Sequence, residues 1–136
     1  MCQSFIALLS FAAAVASAQT TFAAAPGWAG QYRNDKFLNG KAVFQLSIEQ
    51  SGNAIQVSFD AVCHDAHGAA PEGQGPARVT GKDSLQFKWE DSFHNTGTGT
   101  IKRIGDAIIL SMRTARVADP RCLMFYRENI RLQRVK

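Results

Sequence analysis

The chain has 136 residues, of which 46% are hydrophobic, 10% aromatic and 19% charged. This composition is typical of a globular domain and excludes a disordered chain, a collagen-like repeat and a multipass membrane protein. Lys and Arg number 15 against 11 Asp and Glu, which gives a formal charge of +4. A chain of this length holds about one small domain, which argues against a two-domain enzyme.

The first 18 residues have the pattern of a secretory signal peptide. An apolar run over residues 5–16 leads into Ala16-Ser17-Ala18, the small-x-small sequence that a signal peptidase accepts. The run is shorter than the ~20 residues that cross a bilayer. We therefore predict a signal peptide over residues 1–18, a flexible lead-in over 19–27, and a secreted or periplasmic product with no membrane span after the leader is removed.

Residues 28–136 are predicted to form a single β-domain. Apolar and polar residues alternate, as in Leu85-Gln86-Phe87-Lys88-Trp89, which is typical of strands with one buried face. Turn sequences such as Gly105-Asp106 separate these runs. No helix is predicted. The expected strands cover about residues 28–33, 41–49, 54–63, 76–81, 84–90, 97–103, 106–113 and 123–134.

Eight short antiparallel strands leave exposed edges unless the sheet closes on itself. The sequence therefore predicts an eight-stranded antiparallel up-and-down β-barrel, with a two-sheet β-sandwich as the alternative. Connections in such a meander alternate between the two ends of the barrel. The first, third, fifth and seventh connections are long, and they share one end, which we call the long-loop rim. Rims of this kind carry function on loops that a rigid scaffold holds.

Two cysteines, Cys63 and Cys122, remain when the leader, with its Cys2, is removed. Both are expected at the long-loop rim of a protein delivered to an oxidising compartment. A single Cys63–Cys122 disulfide is therefore predicted. Two free thiols or a metal-binding pair are the alternatives, and the chain has no CxxC spacing to support the metal.

The histidines His64, His67 and His94 also fall at this rim, close to Asp91. They are weak candidates for a metal site and for a hydrolase centre. The chain has no HExxH helix, no fixed ligand spacing and no nucleophile elbow, so no metal, cofactor or catalytic residue is predicted. The glycine-rich segment over residues 96–100 enters a predicted strand rather than a helix. It is therefore interpreted as a bent barrel strand and not as a phosphate-binding loop.

Basic residues are expected to crowd the same rim. Arginine suits carboxylates and other anions, so these residues favour a protein surface or a small anionic ligand as the partner, although mixed charge is also ordinary on exposed surfaces. The predicted export argues against nucleic acid. The complete set of predicted binding residues is Arg33, His64, His67, Asp91, His94, Arg113, Arg116 and Arg121.

Gly27-Trp28 at the start of the first strand, the eight-strand meander and the basic last strand resemble the lipocalin and avidin-like barrels. The resemblance implies that Trp28 packs beneath the barrel beside Arg131 or Arg134. Lipocalins space the two residues as Gly-x-Trp, whereas they are adjacent here. The similarity is architectural and implies no particular ligand.

The sequence thus predicts an exported binding module, not an enzyme, whose long-loop rim recognises a protein, in the manner of an inhibitor or immunity protein, or an anionic partner. A barrel this short can be filled by its own Phe and Leu side chains. A lipocalin-like carrier of small ligands is the alternative. A hydrolase that uses the rim His and Asp residues is the third possibility.

Overall fold

A computed structural model describes residues 27–136. The predicted signal peptide and the lead-in before Gly27 lie outside the described residues. The elements in chain order are β1 (Gly30–Lys36), α1 (Phe37–Gly40), β2 (Ala42–Ser51), β3 (Ala54–Cys63), β4 (Glu72–Gly81), β5 (Ser84–Asp91), β6 (Thr96–Ile104), β7 (Ala107–Arg116), a 3-10 helix (Pro120–Phe125) and β8 (Ile130–Arg134).

The strands form a closed barrel in sequence order, and β8 returns to pair with β1. All eight pairings are antiparallel. The up-and-down barrel is confirmed, and a two-sheet sandwich is excluded. Closure leaves no long unpaired edge, because each strand has a partner on both sides.

The two ends of the barrel differ as the connection lengths predict. Two-residue turns at 52–53, 82–83 and 105–106 close one end. The other end, the long-loop rim, carries the connections at 37–41, 64–71, 92–95 and 117–129. Since alternate connections of an antiparallel meander lie at the same end, the strand order alone brings these four segments together.

Aromatic and aliphatic side chains fill the barrel interior. Phe44 stacks on Phe59 with ring centroids 5.9 Å apart, and Phe59 meets the edges of Trp89 and Tyr126 at 5.7 and 5.9 Å. Trp89 and Tyr126 are 4.6 Å apart. Contacts of this kind stabilise a core beyond simple burial. The largest fully buried apolar side chains are Trp28, Phe44, Phe87, Phe125, Leu46, Leu85, Ile101, Ile108, Leu110, Leu132 and Val57.

Glycines make room for the large rings of the core. A Cβ added to Gly99 would lie 2.3 Å from the Phe87 ring, and one added to Gly97 would lie 2.5 Å from the Trp89 ring. Their strand, β6, pairs with the strand that carries both aromatic residues. The glycine-rich segment is therefore part of a barrel strand, as predicted, and the rings of Phe87 and Trp89 occupy the space that side chains at Gly99 and Gly97 would need.

The described chain departs from the predicted elements in three of the long connections. β4 begins at Glu72, four residues before its predicted start at 76. The predicted last strand began at residue 123, but residues 123–125 belong to the 3-10 helix. Asp119 caps this helix by accepting the Arg121 N–H at 3.0 Å, and Pro120 occupies its first turn, where proline is favoured. In α1, Leu38 and Asn39 have left-handed backbone angles. No helix within residues 27–136 is long and apolar enough to cross a membrane.

Trp28 plugs the tight-turn end of the barrel. The Arg103 guanidinium lies 3.9 Å from the centre of its ring, a cation–π contact. Arg103 also donates to the Gly27 carbonyl at 3.1 Å. The resemblance to lipocalins implied Arg131 or Arg134 in this position. Arg103, near the end of β6, takes that position instead. Arg134 donates to the Ala29 carbonyl at 3.2 Å.

Candidate functional site at the long-loop rim

A buried carboxylate organises the long-loop rim. Asp91, at the end of β5, is only 5% exposed. Its Oδ1 accepts the backbone N–H groups of Phe93 and Asn95, both at 2.9 Å. Its Oδ2 accepts the Asn95 side-chain amide at 2.8 Å and the Tyr126 hydroxyl at 2.5 Å. Both carboxylate oxygens are therefore satisfied by hydrogen bonds, as burial of a charge requires.

Asn95 carries this network into the last long connection. Its side chain is fully buried, and its Oδ1 accepts the backbone N–H groups of Ala118 and Asp119 at 2.8 Å each. Burial, together with the hydrogen bond to Asp91, raises the pKa of Tyr126, so the phenol remains a donor. Asp91, Asn95 and Tyr126, which we call the anchor network, thus join the β5–β6 loop to the β7–β8 connection.

The anchor network changes the interpretation of Asp91. The sequence placed this residue among the binding candidates, but its buried oxygens already accept four hydrogen bonds. It is therefore not available to a partner or as a general base at the surface. Its role in the described structure is to position the loops that follow it.

The predicted Cys63–Cys122 disulfide is absent from the structure, in which both cysteines are free. The 3-10 helix places Cys122 fully buried in the core cluster. Burial, with further contributions from the negative charges of Asp91 and Asp119, raises the pKa of the Cys122 thiol to about 11. Cys63 at the end of β3 is only partly buried. The two thiols therefore occupy different environments at the same rim.

The three histidines lie at the rim but do not converge. His64 Nε2 is 2.8 Å from the Asp35 carbonyl oxygen, His67 Nδ1 is 3.6 Å from an Asp65 oxygen, and His94 Nδ1 is 3.8 Å from a Glu90 oxygen. No cluster of three or more His, Cys, Asp or Glu side chains within residues 27–136 could hold a metal ion.

Ser92, which follows Asp91 and lies two residues before His94 in the chain, has a partner of its own. Its Oγ accepts the Glu72 backbone N–H at 3.1 Å. Its near neighbour His94 lies instead beside Glu90. Ser92 and His94 therefore do not form a Ser–His pair of the kind that activates a hydroxyl.

Most of the predicted basic residues have acidic partners. Arg33 pairs with Asp35, Arg113 lies 3.3 Å from Glu128, and Arg121 lies 2.6 Å from Asp119. The Arg121 guanidinium lowers the pKa of Asp119. Arg116 has no carboxylate within 4.0 Å among the described residues. The positive charge that stays uncompensated at the rim is thus smaller than the residue count indicates.

Sequence reasoning missed an exposed apolar patch on the β7–β8 connection. Val117, Leu123 and Met124 are 48%, 37% and 45% exposed, and we call them the rim apolar patch. Leu123 and Met124 were placed in a strand, where one of them would be buried. The sequence Asp119-Pro120 is a helix-start signal, and it could have revealed the 3-10 helix that turns both side chains outward.

A cleft opens beside this patch, between three of the long connections. It has a volume of about 620 Å³ and is lined by residues of the β1–β2, β3–β4 and β7–β8 segments. We call it the rim cleft. Its lining residues are Leu38, Asn39, Lys41, Cys63, His64, Asp65, Met124 and Arg127.

A larger groove of about 760 Å³ runs along strands β1 to β5 and reaches the long-loop rim at Asp91 and Ser92. Its floor consists mostly of amide, hydroxyl and carboxylate side chains from β1 to β5. Asp60 and Glu72 face each other across β3 and β4. Partial burial, with the added charge of Glu72, raises the pKa of Asp60. Strands of one barrel wall form this groove, whereas the rim cleft joins separate loops.

Backbone strain is concentrated at the long-loop rim. The non-glycine residues with positive φ are Leu38, Asn39, Ala66, His94 and Asn129, and every long connection contains at least one of them. The tight-turn end uses Gly52 and Gly105 for the same conformation. A left-handed conformation costs an ordinary L-residue about 1–2 kcal/mol and costs Asn and His less, so the strain falls mainly on Leu38 and Ala66. Strain of this kind clusters at functional sites when the surrounding structure holds it in place.

Comparison with known proteins adds no family assignment. No family model, curated protein or solved structure matches the chain. The resemblance to lipocalins therefore stays a prediction, and the interpretation of function depends on the residues of the rim.

Proposed function

We propose that this protein is an exported binding module that recognises a protein partner through its long-loop rim, in the manner of an inhibitor or immunity protein. The observation that carries the proposal is the rim apolar patch, three exposed apolar residues on a connection that also presents Arg121 and Arg127 and that directly follows Arg116, the last residue of β7. Methionine and arginine are both enriched at the cores of protein–protein interfaces.

The anchor network supports this proposal because it fixes the patch before binding. The N–H groups of Ala118 and Asp119, next to Val117, are held by Asn95. The Tyr126 hydroxyl holds the other end of the 3-10 helix against Asp91. A surface ordered in advance loses less conformational entropy when a partner binds, so more of the contact energy contributes to affinity.

The alternative functions receive less support. A carrier of small ligands needs an enclosed interior space of several hundred Å³, but rings such as Phe44, Phe59 and Trp89 occupy the centre of this barrel. A hydrolase of the kind considered would need the rim histidines to meet Asp91, but His67 and His94 lie beside Asp65 and Glu90 instead. Asp91 is buried and both of its oxygens already accept hydrogen bonds from the protein itself.

The test compares two charge insertions at equally exposed apolar positions. Met124→Glu alters the rim apolar patch, whereas Val79→Glu alters a residue with 47% exposure near the tight-turn end. Each immobilised protein is exposed to the exported fraction of its own source. A partner that saturates the wild type is then purified and titrated by calorimetry.

Met124→Glu is expected to weaken this partner's affinity about 30-fold or more, as expected for an interface hot spot of ~2 kcal/mol. Arg116→Glu should also weaken it, while Val79→Glu should leave it within about twofold, since exposed positions outside an interface contribute little. The proposal is wrong if no partner saturates the wild type. Equal binding by the Met124→Glu and Val79→Glu variants would also overturn it.

A further inference from the structure

We infer that the rim cleft is the anchor pocket of this surface and takes a carboxylate side chain of the partner, an Asp or Glu next to an apolar residue. The inference rests on the proposed function and names the chemistry of the segment that the rim would bind. It is carried by three properties of the cleft: unpaired positive charge, exposed apolar walls and a backbone frame that is already in place.

Lys41 and Arg127 give the cleft a net positive charge. Neither has a carboxylate within 4.0 Å among residues 27–136. Asp65, the one acid that lines the cleft, lies 3.6 Å from the His67 ring and also accepts the His67 N–H at 3.0 Å. The cleft thus differs from Arg33, Arg113 and Arg121, whose charges have partners, and an external anion would supply the missing countercharge.

Apolar side chains stand beside these two cations. Met124 belongs to the rim apolar patch, and Leu38 packs partly against the core while its remaining surface faces the cleft. Leu38 takes this position with a left-handed backbone, φ 55°. A purely ionic ligand would leave these apolar walls exposed to water. A carboxylate with an apolar neighbour would satisfy both kinds of surface at once.

The walls of the cleft are fixed by backbone hydrogen bonds. The Lys41 carbonyl accepts the His64 N–H at 2.9 Å, which ties the β1–β2 turn to the β3–β4 loop. The Arg127 carbonyl accepts the Met112 N–H at 2.9 Å, and Arg127 Nε donates to the Met124 carbonyl at 3.1 Å. The volume of about 620 Å³ is within the range of preformed ligand pockets and can admit a short stretch of side chains.

Cys63 lines the cleft and provides a built-in reporter. A small disulfide reagent exchanges with the Cys63 thiolate, which forms a mixed disulfide and releases one reagent thiol. The full chain is equilibrated with caps that share a two-methylene linker: 3-mercaptopropionate, which is anionic, 2-mercaptoethanol, which is neutral, and cysteamine, which is cationic. Occupancy at Cys63 is read by mass spectrometry of peptic peptides at acid pH, which separates it from Cys2 and Cys122. Occupancies are divided by those of the urea-unfolded chain, so that only the folded cleft contributes to the ratio.

The anionic cap is expected to exceed the cationic cap about tenfold in the wild type, with the neutral cap between them, a difference that two nearby cations can produce at a partly exposed site. The Lys41→Gln/Arg127→Gln double variant should reduce the ratio to about twofold or less, as expected when both charges are lost. Lys102→Gln, an exposed lysine on β6, is the matched control and should keep the wild-type ratio.

A wild-type ratio near one, a ratio that the double variant leaves unchanged, or a Cys63 that no cap reaches in the folded protein would each overturn the inference. The exchange needs no partner protein, so these results leave the proposed function standing. Failure of the partner-capture experiment, in contrast, overturns both, because the anchor pocket presupposes a protein that binds the rim.

Discussion

The anchor network predicts a large effect for a single buried amide. Asn95→Ala removes the donor to Asp91 and the acceptor that serves two backbone N–H groups, at 118 and 119. A hydrogen bond to a charged group contributes about 1.5–3 kcal/mol, and each of the others about 1 kcal/mol. The free energy of unfolding should therefore fall by about 3–5 kcal/mol, a large fraction of the ~5–15 kcal/mol typical of a small domain.

Urea unfolding at pH 7, followed by tryptophan fluorescence, measures this change. Asn53→Ala in the exposed β2–β3 turn is the matched control and should lie within about 0.5 kcal/mol of wild type. Hydrogen exchange gives a second readout. In Asn95→Ala the amides over residues 117–125 should exchange faster than in the wild type, whereas the amides of the distant turn at 105–106 should exchange at the wild-type rate. A loss below about 1 kcal/mol would refute the reasoning, since even one broken bond to a buried charge exceeds it.

Three further predictions concern the glycines and the thiols. Gly99→Ala should destabilise the barrel by about 1–3 kcal/mol, as overpacking does, because the new Cβ would lie 2.3 Å from the Phe87 ring. Gly27→Ala is the control and should be neutral, since a Cβ there meets nothing within 4 Å. Equal thermal midpoints for the two variants would contradict the overpacking argument. The raised pKa of Cys122 predicts that the free energy of unfolding is unaffected by this thiol below pH 9.0 and falls between pH 9.0 and about 11. The fall is at most about 1.4 kcal/mol per pH unit, because the thiol of the unfolded chain loses its proton first. Urea titrations of a Cys122→Ala variant that gave the same slope against pH would argue against this prediction. A neutral thiol reagent should modify Cys63 in the folded protein and Cys122 only after unfolding, and peptide mapping would disprove this if Cys122 reacted as fast or if neither thiol reacted.

Local sequence patterns carry most of the information about the fold. The period-two alternation and the short Gly-containing turns place strands such as β3 (Ala54–Cys63) and β5 (Ser84–Asp91) within a residue of their predicted bounds. Strand parity then predicts which connections share an end, since consecutive antiparallel strands must alternate in direction. Prediction failed where local capping overrode the alternation, at residues 123–125, because Asp119 and Pro120 start a 3-10 helix there.

The candidate site was harder to predict because its chemistry depends on pairings between distant residues. The sequence listed Arg33, Arg113 and Arg121 as binding candidates, but each has an acidic neighbour in the structure. It missed Lys41 and Arg127, which lack such neighbours and line one cleft together. Nothing in the local pattern of either residue distinguishes a paired cation from an unpaired one.

The sequence by itself therefore determined the eight-stranded meander, the two unlike ends of the barrel and the placement of both cysteines and all three histidines at one rim. These follow from periodicity and turn length, which act over a few residues. Only the tertiary structure decided that Asp91 is buried under four hydrogen bonds, that Cys122 is buried as a free thiol while Cys63 is only partly buried, and that Lys41, Met124 and Arg127 share a cleft. The reason is physical: burial and charge pairing depend on which side chains meet across the closed barrel, and those neighbours are up to about a hundred residues apart in the chain.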